Sequence, residues 1–256
     1  MKDEEPSDNS TEWFRRSFDD FYLSLYSHRD DAEAARLVQT LSERFGFDGR
    51  VLDVACGAGR FLRALRTRGV EATGLDLSPA LLREARRLMP LPSPSLVRAD
   101  MRQLPIRTAG VAWVLLLFTS FGYFDSAPED RLALSELSRV LRPGGRLVID
   151  YLNPETTVGR LVPESIRFVA GRTVRETRWV DPRGPFLRKR IELAAAEDLP
   201  AATYEERVRL YSPPQLRALL VDAGLQVDEI WGDYDGAPFV LDRAGRCLLL
   251  ARQGER

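Results

Sequence analysis

The chain has 256 residues, 44% hydrophobic and 29% charged, with a formal net charge of −1. That length and composition fit one globular domain, or one domain with an appendage, and exclude a general pull towards nucleic acid or acidic membrane. Two distant cysteines, Cys56 and Cys247, and a lone histidine, His28, exclude a disulfide framework and a metal site built on several histidines.

The opening residues 1–11 are polar and acidic, without a signal-peptide core, and are expected to be a disordered tail. No apolar run approaches the ~20 residues of a membrane span, so a cytoplasmic location is the default. Over residues 12–45 apolar side chains recur at helical spacing. Trp13, Phe14, Phe18, Phe21, Tyr22, Leu25 and Tyr26 form one aromatic-rich stripe, and Ala34, Leu37, Val38 and Leu41 form another.

A regular alternation follows. Strand Arg50–Val54 precedes helix Arg60–Arg68, and strand Val70–Asp76 precedes a helix with Ser78 as N-cap and Pro79 at its first position. A strand is expected over Ser95–Ala99. "VAWVLLLF" (111–118) has the continuous apolar character of a strand buried on both faces of a parallel sheet. Helix Pro128–Leu141 is closed by "RPGG", and "RLVIDYL" (146–152) makes the next strand. This order predicts an α/β fold with a doubly wound, Rossmann-like, mostly parallel sheet.

The pattern changes after Asn153. Residues 167–211 are β-prone and polar, with a turn at "DPRG" (181–184), and read as an antiparallel meander. Helix Pro213–Ala223 and the strands "QVDEIWGDY" and "RCLLLARQ" close the chain, the last expected to be antiparallel. The domain scheme is therefore N-terminal helices (12–45), a core split over 46–153 and 212–256, and an inserted β cap (154–211). The cluster Arg188–Lys189–Arg190 reads as a solvated face; lysine otherwise occurs only at Lys2.

"VLDVACGAGR" (51–60) carries Gly57 and Gly59 directly after the first strand. Glycine allows a sharp turn and a close ligand approach, and a helix start offers free N–H groups. The dinucleotide fingerprint G-x-G-x-x-G needs a third glycine, and position 62 is Leu. Asp53 in the strand end disfavours a pyrophosphate and suits a positively charged ligand. Asp76, ending the second strand, suits a ribose diol. Asp100 can accept from an adenine amino group, and Met101 can cover the ring. Those three chemistries, in order, are the parts of S-adenosylmethionine.

"VLDVACGAGR", "EATGLDLSPALL", "VRADMRQLP", "LFTSFGYF" and "LSRVLRPGGRLVID" resemble, in order, the motifs of class I S-adenosylmethionine-dependent methyltransferases, over about residues 45–152. "FYLSLYSHRD" and "GDYDGAPF" resemble the small-molecule enzymes of that superfamily. Ala55 stands where the family often has Gly. The resemblance implies S-adenosylmethionine as cofactor, with Tyr22, Arg29, Asp53, Ala55, Gly57, Gly59, Asp76, Leu77, Asp100, Met101 and Phe118 around it. Arg29 or a tyrosine hydroxyl is expected at the cofactor carboxylate.

The implied reaction is an in-line displacement at an already activated methyl, which asks for position and dehydration rather than a metal. Tyr123, Tyr26 and His28 are the candidate catalytic groups, and the β cap is expected to cover the acceptor. The expected acceptor is a nitrogen or oxygen of a small molecule, and a homodimer is a further expectation. A tRNA methyltransferase, for which the net charge is unsuited, and a non-catalytic cofactor-binding protein are the alternatives; Leu62 and Asp53 disfavour an NAD-dependent oxidoreductase.

Overall fold

The computed structural model describes residues 12–26, 31–89, 95–196 and 199–254. The expected acidic tail and the expected site residues His28 and Arg29 lie outside the described residues.

Three helices open the chain: α1 (Phe14–Ser17), α2 (Asp20–Leu25) and α3 (Asp31–Phe45). The alternating part runs β1 (Val51–Val54), α4 (Arg60–Arg66), β2 (Ala72–Asp76), α5 (Pro79–Leu88), β3 (Ser95–Arg98), β4 (Val111–Leu116), α6 (Ala127–Val140) and β5 (Leu141–Leu152). After α7 (Pro154–Gly159) come β6 (Glu164–Val169), β7 (Arg172–Val180), β8 (Phe186–Leu193) and β9 (Ala202–Arg209). Helix α8 (Pro213–Asp222), β10 (Leu225–Trp231) and β11 (Arg246–Gln253) complete it.

Seven strands form one sheet in the order β10-β11-β5-β4-β1-β2-β3, and β6–β9 form a separate meander in sequence order. Neighbours from β5 to β3 are parallel, while β11 runs antiparallel to both β5 and β10. The expected doubly wound sheet, its antiparallel last strand and the inserted meander are thus all observed. Among the described residues no helix is long and apolar enough to cross a membrane.

Local chemistry starts the helices where the sequence says. Ser78 accepts from the Leu81 N–H, and Pro79 follows it. Ser126 with Glu129, and Ser212 with Gln215, are reciprocal capping boxes before α6 and α8. Strand β4 is buried along its whole length. Its alternate residues serve two cores: Val114 and Leu116 pack with Leu134 and Leu137 of α6 and Leu216 of α8. Trp113 and Leu115 pack with Leu37 and Leu41 of α3 and Leu65 of α4. Truncating one such leucine to alanine costs about 2–5 kcal/mol.

Four expectations are corrected. "RPGG" is not a turn outside the sheet. The Gly110 N–H already donates to the Val140 carbonyl, and Val111 pairs with Leu141, so strand pairing resumes as soon as α6 ends. The extra residues are absorbed as an irregularity between Val111 and Trp113, with Gly144 at φ +70°. The cap region begins with a helix, α7, started by the Asn153 side chain and Pro154. The aromatic stripe 13–26 is two short helices, because Asp19 takes an extended conformation and caps α2 with its carboxylate. Arg188 and Lys189 are not a solvated face: their side chains are only 14% and 15% exposed, and each is ion-paired.

Candidate active site

The order of the sheet reverses between β1 and β4, and the crevice beyond the carboxyl ends of such strands is where this architecture binds ligands. A cavity of about 560 Å³ lies there, within the roughly 300–1,000 Å³ typical of small-molecule sites. The strand ends contribute Asp53, Asp76, Asp100 and Phe118; α1 and α2 supply aromatic walls; Glu206 and Val208 of β9 reach it from the cap.

The glycine loop is held in a left-handed turn. Ala55, Gly57 and Gly59 have φ of +55°, +56° and +76°. A side chain at Gly57 would meet only Leu81, at 4.0 Å, so this glycine opens onto the cavity. Gly59 differs. It does not line the cavity, and a Cβ there would press on Met89, Ala85 and Leu62, so it serves packing. The close helix–strand approach that a third glycine would provide at position 62 is supplied from the other side. Gly74 of β2 has no Cβ, and Leu62, Cys56 and Leu96 occupy that space. Cys56 is buried, and desolvation pushes its thiol well up, as suits a packing residue.

Asp76 ties β2 to this loop. Its two oxygens accept from the Gly57 and Ser78 N–H groups, each at 2.8 Å. Burial raises its carboxyl despite those bonds. A carboxylate has about four lone-pair sites, so two remain for a diol. Asp53 is 1% exposed, and its Oδ2 has no hydrogen-bond partner among the described residues. Desolvation, reinforced by the nearby Asp76, pushes its carboxyl up to about 8 against the opposing charge of Arg60.

Sequence reasoning misses Arg60. It is the first residue of α4, lines the cavity, and leaves its side chain 11% exposed. Nη1 pairs with Glu33 at 2.5 Å, and the guanidinium lies 4.6 Å from the Phe118 ring centroid. Nη2 is buried and has no hydrogen-bond partner among the described residues. Asp53 and Arg60, each with one polar atom unpartnered among the described residues, therefore line one cavity, an acid and a base such as an α-amino acid's ammonium and carboxylate require. Arg60 is thus a candidate for the role expected of Arg29, which lies outside the described residues. Its only sequence signal is its position directly after the glycine loop.

The opposite end is apolar and ring-lined. Leu77 and Met101 pack against Trp13, Phe14 and Phe124, with Tyr123 beside them. Asp100 sits at its edge with both oxygens engaged. Arg102 donates to it through its backbone and guanidinium, and Arg15 lies at 3.5 Å. Burial alone would raise Asp100, but the Arg102 bonds and charges hold it below the usual carboxylate range. Phe118 and Thr119 have φ of +59° and +61°. Asp150, fully buried, fixes them: it accepts from the Phe118 N–H at 2.8 Å, from Tyr234 and from Arg246. Tyr22, Tyr26 and Tyr123 all line the cavity. Of the expected site residues inside the described regions, Gly59 alone stands back from it.

A doubly wound sheet with an acid-rimmed crevice and a left-handed glycine loop defines a Rossmann-like protein for an adenosyl cofactor. Residues 51–145 match the family described as a methyltransferase domain. The chain is 30% identical over 213 residues to a dTDP-3-amino-3,6-dideoxy-alpha-D-glucopyranose N,N-dimethyltransferase of Streptomyces fradiae, a match covering 82% of this chain and 81% of that one. It is 28% identical to a dTDP-3-amino-3,4,6-trideoxy-alpha-D-glucopyranose N,N-dimethyltransferase of Streptomyces venezuelae, over 80% of this chain and 87% of that one. Among solved structures, the SAM-bound amino pentose methyltransferase CalS10 of Micromonospora echinaspora superposes with a TM-score of 0.66 at 26% identity, covering 91% of this chain and 96% of that chain. The chain belongs to the class I S-adenosylmethionine-dependent methyltransferases. It is an enzyme, and its cofactor is S-adenosylmethionine.

Proposed function

We propose that this methyltransferase acts on the amine nitrogen of a small molecule of the amino-sugar class. The observation that carries this reading is the pair of N,N-dimethyltransferase relatives matched over four-fifths of the chain. The site is compatible with it, being a cavity walled by rings rather than an exposed basic face. Phosphate-backbone recognition needs the latter.

The residues divide by role. Asp53 and Arg60 receive the cofactor's ammonium and carboxylate, Asp76 its ribose hydroxyls, and Leu77 and Met101 its adenine; Asp100, whose acceptor sites are taken by Arg102 and Arg15, holds the edge of that wall rather than the adenine amine expected of it. When bound, the sulfonium supplies a methyl carbon whose bond to sulfur breaks, its electron pair going to sulfur, as an acceptor lone pair closes on it. Tyr22, Tyr26 and Tyr123 orient the acceptor and, with the cap strand β9, exclude water from it. Holding the nucleophile in line is the main contribution asked of these side chains. Thr119 and Ser120, at the end of β4, complete the polar lining there.

The test is direct. The protein is incubated with methyl-labelled S-adenosylmethionine and either dTDP-3-amino-3,6-dideoxy-α-D-glucopyranose, its 3-hydroxy analogue or bulk tRNA. The expected result is label in the amino sugar, with a product mass raised by one or two methyl groups. Label entering tRNA or the hydroxy analogue but not the amine overturns the reading.

A further inference from the structure

Five carboxylates line the cavity: Asp53, Asp76, Glu84, Asp100 and Glu206. Three stand at the strand ends: Asp53 and Asp76 are assigned above to the cofactor, and Asp100 to the edge of its adenine wall. Glu84 is held on its own helix by Arg87, at 2.7 Å to each oxygen. Glu206 is left, and it comes from the cap. Alternation along β9 aims it inward. Glu206 and Val208 line the cavity, and Tyr204 on the same face donates to Asp19 at 2.7 Å. Arg207 between them turns away to Asp125.

Behind Glu206 is a built support. Its cross-strand partner on β8 is Lys189. Lys189 donates to the Tyr26 hydroxyl at 2.5 Å and pairs with Glu176 at 2.8 Å, with Glu206 at 3.8 Å. The Tyr26 hydroxyl in turn donates to Glu206 at 3.1 Å. Glu176 is itself clamped by Arg167 and Arg178. Burial opposes its charge, but Lys189 and the two arginines outweigh burial and hold its carboxyl at about 2. Lys189 is therefore fixed from behind by a permanently ionised group. Among the described residues Glu206 has Tyr26 and Lys189 as its polar partners, so part of its acceptor capacity faces the cavity unused.

We propose that Glu206, held by Tyr26 and Lys189, is the acceptor-binding carboxylate: it takes the N–H hydrogen bonds of the substrate amine and rejects anionic acceptors. This rests on the amine-methylation reading above. A neutral amine offers Glu206 two N–H donors while its lone pair stays free to attack; a hydroxyl offers one donor; a carboxylate offers none and is repelled. Lys189 is a positioning residue with a second effect. Its charge beside Glu206 keeps the pair near neutral, so the site favours the nucleophilic amine over its inert ammonium form more than a lone carboxylate would.

The experiment uses the full chain saturated with S-adenosylhomocysteine. Calorimetric affinity for the amino-sugar nucleotide of the preceding test and for its 3-hydroxy analogue is measured in the wild type, E206Q, K189M and K189R. S-adenosylhomocysteine affinity itself serves as the fold control. The expected result is that E206Q weakens amine binding on the order of tenfold to a hundredfold, with S-adenosylhomocysteine affinity unchanged, and that the wild type prefers the amine to the alcohol. In a separate turnover assay with S-adenosylmethionine and the same amino-sugar nucleotide, K189M is expected to move the acid limb of kcat to higher pH, and K189R to restore it. E206Q binding the amine as tightly as wild type overturns the assignment of Glu206 and leaves the amine reading standing. A wild type that binds the hydroxy analogue but not the amine overturns both. K189M with an unmoved profile overturns the role of Lys189.

Discussion

The proposed contact of Asp53 with the cofactor ammonium makes cofactor binding a proton-linked event. The Asp53 carboxyl is pushed up to about 8 because it is buried and lies near Asp76, which together outweigh the opposing charge of Arg60. At pH 7 about one Asp53 in ten is then ionised, and at pH 6 about one in a hundred. The ammonium of S-adenosylhomocysteine needs the ionised form. Affinity should therefore rise about tenfold from pH 6 to 7, close to 1.4 kcal/mol, and about fivefold from 7 to 8, and flatten above. At pH 7 binding should release nearly one proton. Titration calorimetry in two buffers of different ionisation enthalpy measures that number directly. Asp53→Asn should abolish both the proton release and the pH slope, and bind more weakly at pH 8. Equal heats in the two buffers at pH 7 would falsify the assignment of Asp53 to the ammonium.

The same group sets a sign for stability. In the unfolded chain its carboxyl titrates near its ordinary value of 3.8; folded, near 8. Between those limits the folded state holds a proton that the unfolded state has lost. The contribution of Asp53 is thus greatest below pH 4 and falls as pH rises towards 8. Denaturant titrations of the ligand-free protein should show this slope reduced in Asp53→Asn.

Other perturbations separate fold from site. Asp76→Ala removes two charge-assisted ribose bonds worth about 1.5–3 kcal/mol each, so S-adenosylhomocysteine affinity should fall by a hundredfold or more while circular dichroism is retained. Gly57→Ala and Gly74→Ala should part company: the first places a methyl in the cavity and weakens cofactor binding, whereas the second crowds Leu62, Cys56 and Leu96 and costs about 1–3 kcal/mol of stability, read as a lower Tm. Arg246→Met leaves Asp150 buried without its cation, which should cost about 3–5 kcal/mol and lower Tm by roughly 10 °C. An unchanged Tm there would show that Tyr234 and the Phe118 N–H suffice to hold Asp150.

What the sequence shows plainly is what depends on neighbours along the chain. The apolar run of β4, the Ser78 cap, the glycine loop and the acids at three strand ends are local patterns, and each lands where expected. Helix α7 carries a local signal too, Asn153 before Pro154, but it is short and opens a segment of strong β character. Arg60, Glu206 and Lys189 are different. A guanidinium at a helix start is ordinary until Phe118 and Glu33 close on two of its sides. A lysine between two arginines reads as a wet strand face until β7 and α2 place Glu176 and the Tyr26 hydroxyl around it. Their meaning is set by residues tens to more than a hundred positions away or by cross-strand register, and neither is visible in spacing.

Part of the unfavourable geometry of this structure lies at the cavity. Ala55, Phe118 and Thr119 take left-handed backbone conformations that L-residues resist, and all three line the cavity. Asp53 and Arg60, each with one unpartnered side-chain atom among the described residues, line it as well. Asp130, a buried acid away from the cavity, shows the same feature: its Oδ2 accepts from Tyr211 and Arg209, while its Oδ1 has no partner among the described residues. Strain and unmet polar capacity at the strand ends lower the stability of the ligand-free fold, and a cofactor bearing both an ammonium and a carboxylate relieves the polar part of that deficit. Stability and cofactor affinity are therefore coupled through Asp53 and Arg60. The general mass-action gain of about 2.7 kcal/mol at a hundredfold excess over Kd should be reached at lower cofactor concentration in the wild type than in either Asp53→Asn or Arg60→Met. Ligand-free Arg60→Met, having lost a buried unpaired donor along with its Glu33 pair, should lose less stability than the removal of a fully satisfied arginine such as Arg102.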